Sequence, residues 1–273
     1  MTRTWLSPGL VRLAPLADLA MSSASASARP VAVITGASAG IGAALARELS
    51  PTHDLVLVAR RTAALAAVAS ALPFPVLARS ADVTRRDDVA AVIDDTLARF
   101  GRLDVWVNNV GQGISRLPSQ LTDDDLDAML RINVKSALYG MQLTLPHFTS
   151  VGRGHVINVS SMLGRVPFAL IRAAYSASKH YLNALTANFR AEVQTTHPHI
   201  QYSIVSPGVV RTEFGVSAMH GGPDSRTLPD SQSAEEVAAV IATVVADRRP
   251  DVYTRAGSAT RVRQFYADVG QDP

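Results

Sequence analysis

The stretch VITGASAGIG, Val33 to Gly42, ends a short apolar, β-branched run with three glycines, Gly36, Gly40 and Gly42. Glycine has no Cβ, so it takes positive φ without strain and lets a ligand or a second backbone come close. Where such glycines follow a strand and open a helix, their N–H groups and the helix N-terminus form a seat for a pyrophosphate. The spacing is G-x-x-x-G-x-G rather than the commoner G-x-G-x-x-G, and in isolation an ordinary glycine turn reads the same way. The strand pattern before it and the helix pattern after it point to dinucleotide binding, with Ser38 and Ile41 in the same turn.

Outward from this turn, strand and helix patterns alternate. DLVLVA (54–59), PVLARSAD (75–82), LDVWVNN (103–109), HVINVSS (155–161), QYSIVSP (201–207) and DVYT (251–254) are further short apolar runs. Their apolar character is continuous rather than alternating, which indicates a sheet covered on both faces. Between them, Val89, Val92, Ile93, Thr96, Leu97 and Phe100 recur at helical steps, with Thr84 and Asp87 read as the capping pair and Gly101 as the stop. Residues 123–145 and 174–196 read as longer helices, the second striped by Leu182, Leu185, Phe189 and Val193, and Ser233 with Glu236 caps another. The alternation predicts an α/β fold, a doubly wound parallel sheet of about seven strands with helices on both faces. With no internal repeat, residues 30–273 read as one dinucleotide-binding catalytic domain. Residues 1–29, with prolines at 8 and 15 and a Ser/Ala tract at 22–28, read as a flexible extension, or as upstream of a start at Met21.

Composition narrows the chemistry. The chain has 273 residues, 47% hydrophobic and 18% charged, enough for a sizeable core. The formal charge of +3 is spread among scattered arginines, so no nucleic-acid partner is expected. The absence of cysteine rules out disulfides and thiol chemistry and fits a cytoplasmic setting. No apolar run is long enough for a membrane span. The seven histidines show no helical pairing for a metal and read as surface residues.

The end of the second strand sorts cofactors in such folds, because an acid there holds the adenosine ribose. Here LVLVARR places Ala59 at that position, followed by Arg60 and Arg61, whose guanidinium forks match a phosphate. Two solvated arginines opening a helix would look alike, but the pair points to NADP(H). Asp82, with Val83 beside it, is placed to meet the adenine.

AAYSASKH (173–180) sets Tyr175 and Lys179 one helical turn apart. A neighbouring ammonium, helped by the positive nicotinamide ring when the cofactor is oxidised, favours phenolate, so the expectation is a Tyr175 with lowered pKa, able to exchange a proton with a carbonyl or an alcohol. A packed tyrosine beside a surface lysine would share the spacing. Three further motifs end strands: NVSSMLG (158–164), NNVG (108–111) with Asn109, Val110 and Gly111, and SPGVVRT (206–212) with Pro207, Gly208, Val210 and Thr212. Open α/β sheets bind ligands at that edge. Asn133 sits mid-helix in RINVKS, an unfavourable place for a side chain that competes for backbone hydrogen bonds.

TGASAGIG, NNVG, the Asn133 helix, NVSS, YSASK and SPG, in this order over residues 30–255, resemble the short-chain dehydrogenase/reductase family in its compact single-domain, Rossmann-type form. The resemblance implies a catalytic set of Asn133, Ser161, Tyr175 and Lys179. Ser161 would hold the substrate oxygen, Tyr175 exchange the proton, Lys179 hold the nicotinamide ribose and Asn133 fix a relay water. Ser160 stays a rival to Ser161, because the stretch to Tyr175 is one residue longer than is usual. Val110 replaces the family's usual alanine.

The expected reaction is the interconversion of a carbonyl and an alcohol by hydride transfer; a non-catalytic NADP(H)-binding regulator is the alternative. Phe168, Leu170, Ile171, Phe214, Val216 and Met219 predict a small apolar substrate in a pocket without a charged anchor, walled partly by a mobile lid at 213–229. Pairing through the two long helices would give a homodimer or homotetramer, although Leu182, Leu185 and Phe189 fit the domain's own sheet equally well.

Overall fold

A computed structural model describes residues 27–267 and 269. Seven strands form a single sheet in the order β3-β2-β1-β4-β5-β6-β7, every pair parallel. They are β1 (Val31–Thr35), β2 (Asp54–Ala59), β3 (Val76–Ser80), β4 (Val105–Asn108), β5 (Gly154–Val159), β6 (Ile200–Ser206) and β7 (Asp251–Tyr253). Each expected strand is present, shifted by two residues or fewer at its ends.

Both faces of the sheet are covered. Ile34, Leu55, Leu57, Val107 and Ile157 pack with Leu45 and Leu49 of α1 (Gly40–Leu49) and Val237, Ile241 and Val244 of α7 (Ala234–Asp247). The intervening strand residues Val33, Val56, Trp106 and Tyr202 meet Val89 and Val92 of α3 (Arg86–Phe100), Met141 of α5 (Ser136–Val151) and Val193 of α6 (Ala173–Gln194). Side chains alternate across a strand, so a sheet buried on both sides needs apolar residues at every position. α2 is Thr62–Ser70, α4 is Asp123–Leu130 and α8 is Ser258–Ala267.

Several local expectations are corrected. Thr84 does not cap α3: its hydroxyl donates to Asp82 Oδ1 at 2.9 Å, and the N-cap is Arg85, with no side-chain bond to the helix. Asp82 is two residues away and captures the hydroxyl first. The helix expected at 123–145 continues to Val151 despite Pro146, and is interrupted by a π-helical turn at Arg131–Lys135. Ser27 to Arg29, read as part of the extension, are tied to the domain: Ser27 N–H donates to Phe100 O at 2.8 Å, and Arg29 bonds the Ser50 and His53 carbonyls. The rest of that extension, residues 1–26, lies outside the described residues.

His155 is not a surface residue. It is fully buried in β5 with Nε2 2.8 Å from Ser203 Oγ. The apolar stripe of α6 faces the domain's own sheet, where Phe189 packs on Tyr202 with ring centroids 5.1 Å apart. Among the described residues, no helix is long and apolar enough to cross a membrane.

Candidate active site

The strand order reverses between β1 and β4, and the crevice at their carboxyl ends is where such sheets bind ligands. Gly36 and Gly40 adopt φ of +68° and +53°. A Cβ on Gly42 would lie 2.4 Å from Gly36 O, so α1 approaches the turn more closely than any side chain allows. Asn109 braces the turn from β4, donating from Nδ2 to Thr35 O at 3.0 Å and Gly36 O at 3.3 Å, while its N–H reaches Thr35 Oγ1 at 3.0 Å. Ala39, the N-cap of α1, offers no side-chain bond, and the first turn carries no acid. The helix therefore presents its first N–H groups uncapped by side chains, as a phosphate site requires.

Further residues of the expected cofactor set gather here. Arg61 reaches Ser38 Oγ of the glycine turn with Nε at 3.3 Å and Nη2 at 3.2 Å; Arg60 is exposed beside it. Ala59 ends β2 where an acid would otherwise stand. Burial alone would raise the Asp82 carboxyl, but bonds from Thr84 and the charges of Arg60 and Arg131 outweigh it and lower the pKa. Val83 is buried at the end of that segment. On the far side, Thr212 folds back onto the turn, its Cγ2 3.2 Å from where a Gly40 Cβ would be, and nothing lies within 4 Å of the Cβ position of Gly208.

The second group of residues converges next to β4 and β5. Tyr175 and Lys179 are both buried and share one face of α6, with Lys179 Nζ 5.8 Å from the phenol ring centroid. Lys179 Nζ donates to Val159 O at 2.8 Å, and it would lie 3.5 Å from a Cβ on Gly111. Asn133 occupies the π turn, where the widened helix frees its side chain to bond elsewhere. Its Oδ1 accepts from Gln112 N–H at 2.9 Å, and Nδ2 donates to Gln112 O at 3.0 Å and Ser178 Oγ at 3.1 Å. Ser161 caps a short 3₁₀ turn by accepting from Leu163 N–H at 3.1 Å, and it lies near enough to Tyr175 to favour the phenolate. The Ser160 hydroxyl is buried without a partner among the described residues.

The charge balance differs from the one expected. Burial pushes the Tyr175 phenol up to about 12, and the opposing pulls come from the Ser161 hydroxyl and the Arg172 charge rather than from Lys179. Burial likewise lowers the Lys179 ammonium to about 8. The two groups share one water-poor site, so each is driven towards its neutral form. At neutral pH the phenol holds its proton and the lysine is mostly charged.

Of the expected apolar wall, Phe214 and Met219 pack with Tyr175, Ile114 and Met129, the Phe214 ring lying edge-on to the phenol at 5.4 Å. Phe168, Leu170, Ile171 and Val216 are exposed. The segment at 213–229 is latched to the loop after β4 by a bridge between Ile114 and Met219. His220 Nε2 adds a contact of 2.7 Å to the buried Asp125, which also pairs with Arg116 at 2.8 Å. Arg172, which the expected wall did not include, places a half-buried guanidinium beside Gly113 and near Phe214. Ser178 and Gln112, the partners of Asn133, were likewise not singled out by sequence; no local pattern marks any of the three.

A family model described as short chain dehydrogenase matches residues 30–221. An uncharacterized oxidoreductase of Staphylococcus epidermidis is 35% identical over 183 residues, 67% of this chain and 78% of its own. A short-chain dehydrogenase from Sphingobium yanoikuyae, solved in complex with NADPH, superposes with a TM-score of 0.74 at 28% identity, covering 89% of this chain and 97% of its own. A short chain dehydrogenase/reductase from Burkholderia phymatum, solved in complex with NAD, shares the fold with a TM-score of 0.81 at 24% identity, over 90% and 97% of the two chains. The glycine turn, the sheet order and these matches agree: the chain belongs to the short-chain dehydrogenase family and is an oxidoreductase of that family.

Proposed function

We propose that this protein is an NADP(H)-dependent reductase that interconverts a ketone or aldehyde and the corresponding alcohol, with Tyr175 as the proton donor. The observation that carries this reading is the meeting of Tyr175, Lys179, Ser161 and Asn133 beside Gly111, one strand away from the glycine turn.

The turn fits a nicotinamide dinucleotide: bare glycines, an α1 terminus without a side-chain cap, and Arg61 on Ser38 Oγ with the exposed Arg60 next to it in the chain. Solved relatives carry either NAD or NADPH, so it is the arginine pair standing where an acid would be that favours NADP(H). When bound, that cofactor supplies or accepts the hydride.

The chain's own residues handle the oxygen and its proton. Ser161 holds the carbonyl oxygen, and Tyr175, protonated at neutral pH, donates to it as negative charge develops there. Lys179, anchored on Val159 O, keeps two donors for a ribose and supplies positive charge as the phenolate forms. Asn133 holds the Gln112 backbone and orders a proton path from Lys179.

We further assign a cytoplasmic setting, a small and mainly apolar substrate, and a homodimer or homotetramer; the exposed Leu126, Leu130 and Tyr181 on α4 and α6 support such pairing. The test is a panel of carbonyls with NADPH, following reduced-nicotinamide absorbance. Tyr175→Phe should reduce turnover by roughly 10²–10⁴-fold while NADPH still raises the unfolding temperature. Greater thermal protection by NADH than by NADPH would remove the arginine argument, and undiminished turnover in Tyr175→Phe would remove the mechanism.

A further inference from the structure

Arg172 is the last residue before α6 and three before Tyr175. It is half-buried and, among the described residues, has no carboxylate partner. Its one side-chain hydrogen bond among the described residues runs from Nη1 to Ile114 O at 3.2 Å. A guanidinium has five donors, so most of its capacity is unspent. The nearest buried carboxylate, Asp125, is already committed to Arg116 and His220.

The seat of the guanidinium is built by glycines from two distant loops. A Cβ on Gly113 would come within 2.6 Å of Nη1, and one on Gly222 within 2.8 Å of Nη2. The Gly222 Cβ position is also 2.7 Å from Ser115 Oγ, a buried hydroxyl with no partner of its own among the described residues. Guanidinium and hydroxyl, with Gly215 O 2.8 Å from the same position, thus pack on Gly222 too closely for any side chain to fit there. Phe214 borders the Gly113 side of the guanidinium, its Cε1 3.1 Å from the Gly113 Cβ position, and its ring lies edge-on to Tyr175. The Arg172 charge is felt at the phenol.

We propose that Arg172 is a binding site for a carboxylate on the substrate, which is therefore an oxo acid, or the matching hydroxy acid, with an apolar body. A half-buried positive charge with free donors favours an anion and forms paired bonds to a planar carboxylate. Phe214 is a neighbour common to the guanidinium and the phenol, so one substrate that carries its carboxylate a short chain away from its carbonyl can reach both. This inference rests on the proposed carbonyl reduction and adds to it the class of substrate.

The experiment compares 4-oxopentanoate and 5-oxohexanoate with their methyl esters, which keep the skeleton and lose the charge. In the native protein with NADPH, kcat/KM for the acid should exceed that for its ester at least tenfold. Arg172→Met should bring this ratio close to one, mainly by raising KM for the acid, and Arg172→Lys should leave it intermediate, since charge survives without the fork. Unfolding temperatures of the variants confirm that they fold. An equal fall on acid and ester in Arg172→Met, or no preference for the acid in the native protein, overturns the proposal and leaves Arg172 as a strap to Ile114. If no carbonyl of either kind is turned over, the reductase reading itself fails. The site is then judged by whether hexanoate, and not hexanamide, protects the native protein but not Arg172→Met against heat; absence of that difference overturns it.

Discussion

Replacing Lys179 with methionine deletes a buried charge while keeping the length and the apolar stem of the side chain. Lys179 is 3% exposed, and burial lowers its ammonium from 10.5 to about 8. Between those two values the unfolded chain binds the proton and the folded protein does not, so stability rises with pH across that window. Below it both states are protonated and the native state carries the whole penalty, roughly 3 kcal/mol at about 1.4 kcal/mol per pKa unit. The bond from Nζ to Val159 O at 2.8 Å opposes this, and its loss from a buried carbonyl costs about 1–2 kcal/mol.

At pH 7 the methionine variant should therefore be more stable than the native protein by roughly 1–2 kcal/mol. At pH 10 the native lysine has shed most of its penalty, and the order should reverse by somewhat under about 1 kcal/mol. Urea unfolding of both proteins at the two pH values reads this crossing directly, because every other titrating group is common to both. Carbonyl turnover should fall by at least about 10²-fold in the same variant, since proton transfer by positioned groups contributes roughly that much or more. A variant less stable than the native protein by the same margin at both pH values would refute the reasoning: the lysine would then be a structural strut with no electrostatic strain.

Two other outcomes probe the frame around the site. Burial holds His155 at about 3, so as pH falls below 6.5 the unfolded chain takes up a proton that the native state refuses, and stability drops. Between pH 7 and 4 this amounts to roughly 3 kcal/mol, and His155→Gln should flatten the urea midpoint over that range; an unchanged slope would place the acid sensitivity elsewhere. Gly42→Ala would set a methyl 2.4 Å from Gly36 O, a backbone atom that cannot swing away. It should lower stability by about 1–3 kcal/mol and abolish thermal protection by NADPH, and retention of that protection would show that the turn is wider than the structure has it.

What the sequence displays and what it hides divide along physical lines. The sheet is legible because parallel strands covered on both faces need apolar residues at each position, and runs such as VAVIT and DLVLVA meet that need locally. The glycine turn, Asn109 and Ser161 are legible because strand ends place them in chain order along one edge. Asn133 stands out as a poor helix residue, but the π turn that accommodates it depends on Gln112 and Ser178, 21 and 45 residues away. Arg172 gives no signal at all. Its seat needs Gly113 and Gly222, and nothing near position 172 announces them.

The same division explains the reversed sign at Tyr175. Four-residue spacing shows that an ammonium and a phenol share a helix face, and from spacing alone the cation must make the phenol more acidic. Whether it succeeds depends on how much water the pair retains, and that is decided by Ile114, Met129 and Phe214, which pack around the ring from three other segments. Burial opposes both charges at once, so the resting pair is a protonated phenol beside a weakened cation. A pair in this state is poised to give up a proton when negative charge appears on a neighbouring oxygen, because the phenolate left behind then stabilises the ammonium in turn. The coupling that the spacing implies therefore belongs to the moment of proton transfer and not to the resting protein, which is why the methionine variant can be more stable and yet inactive.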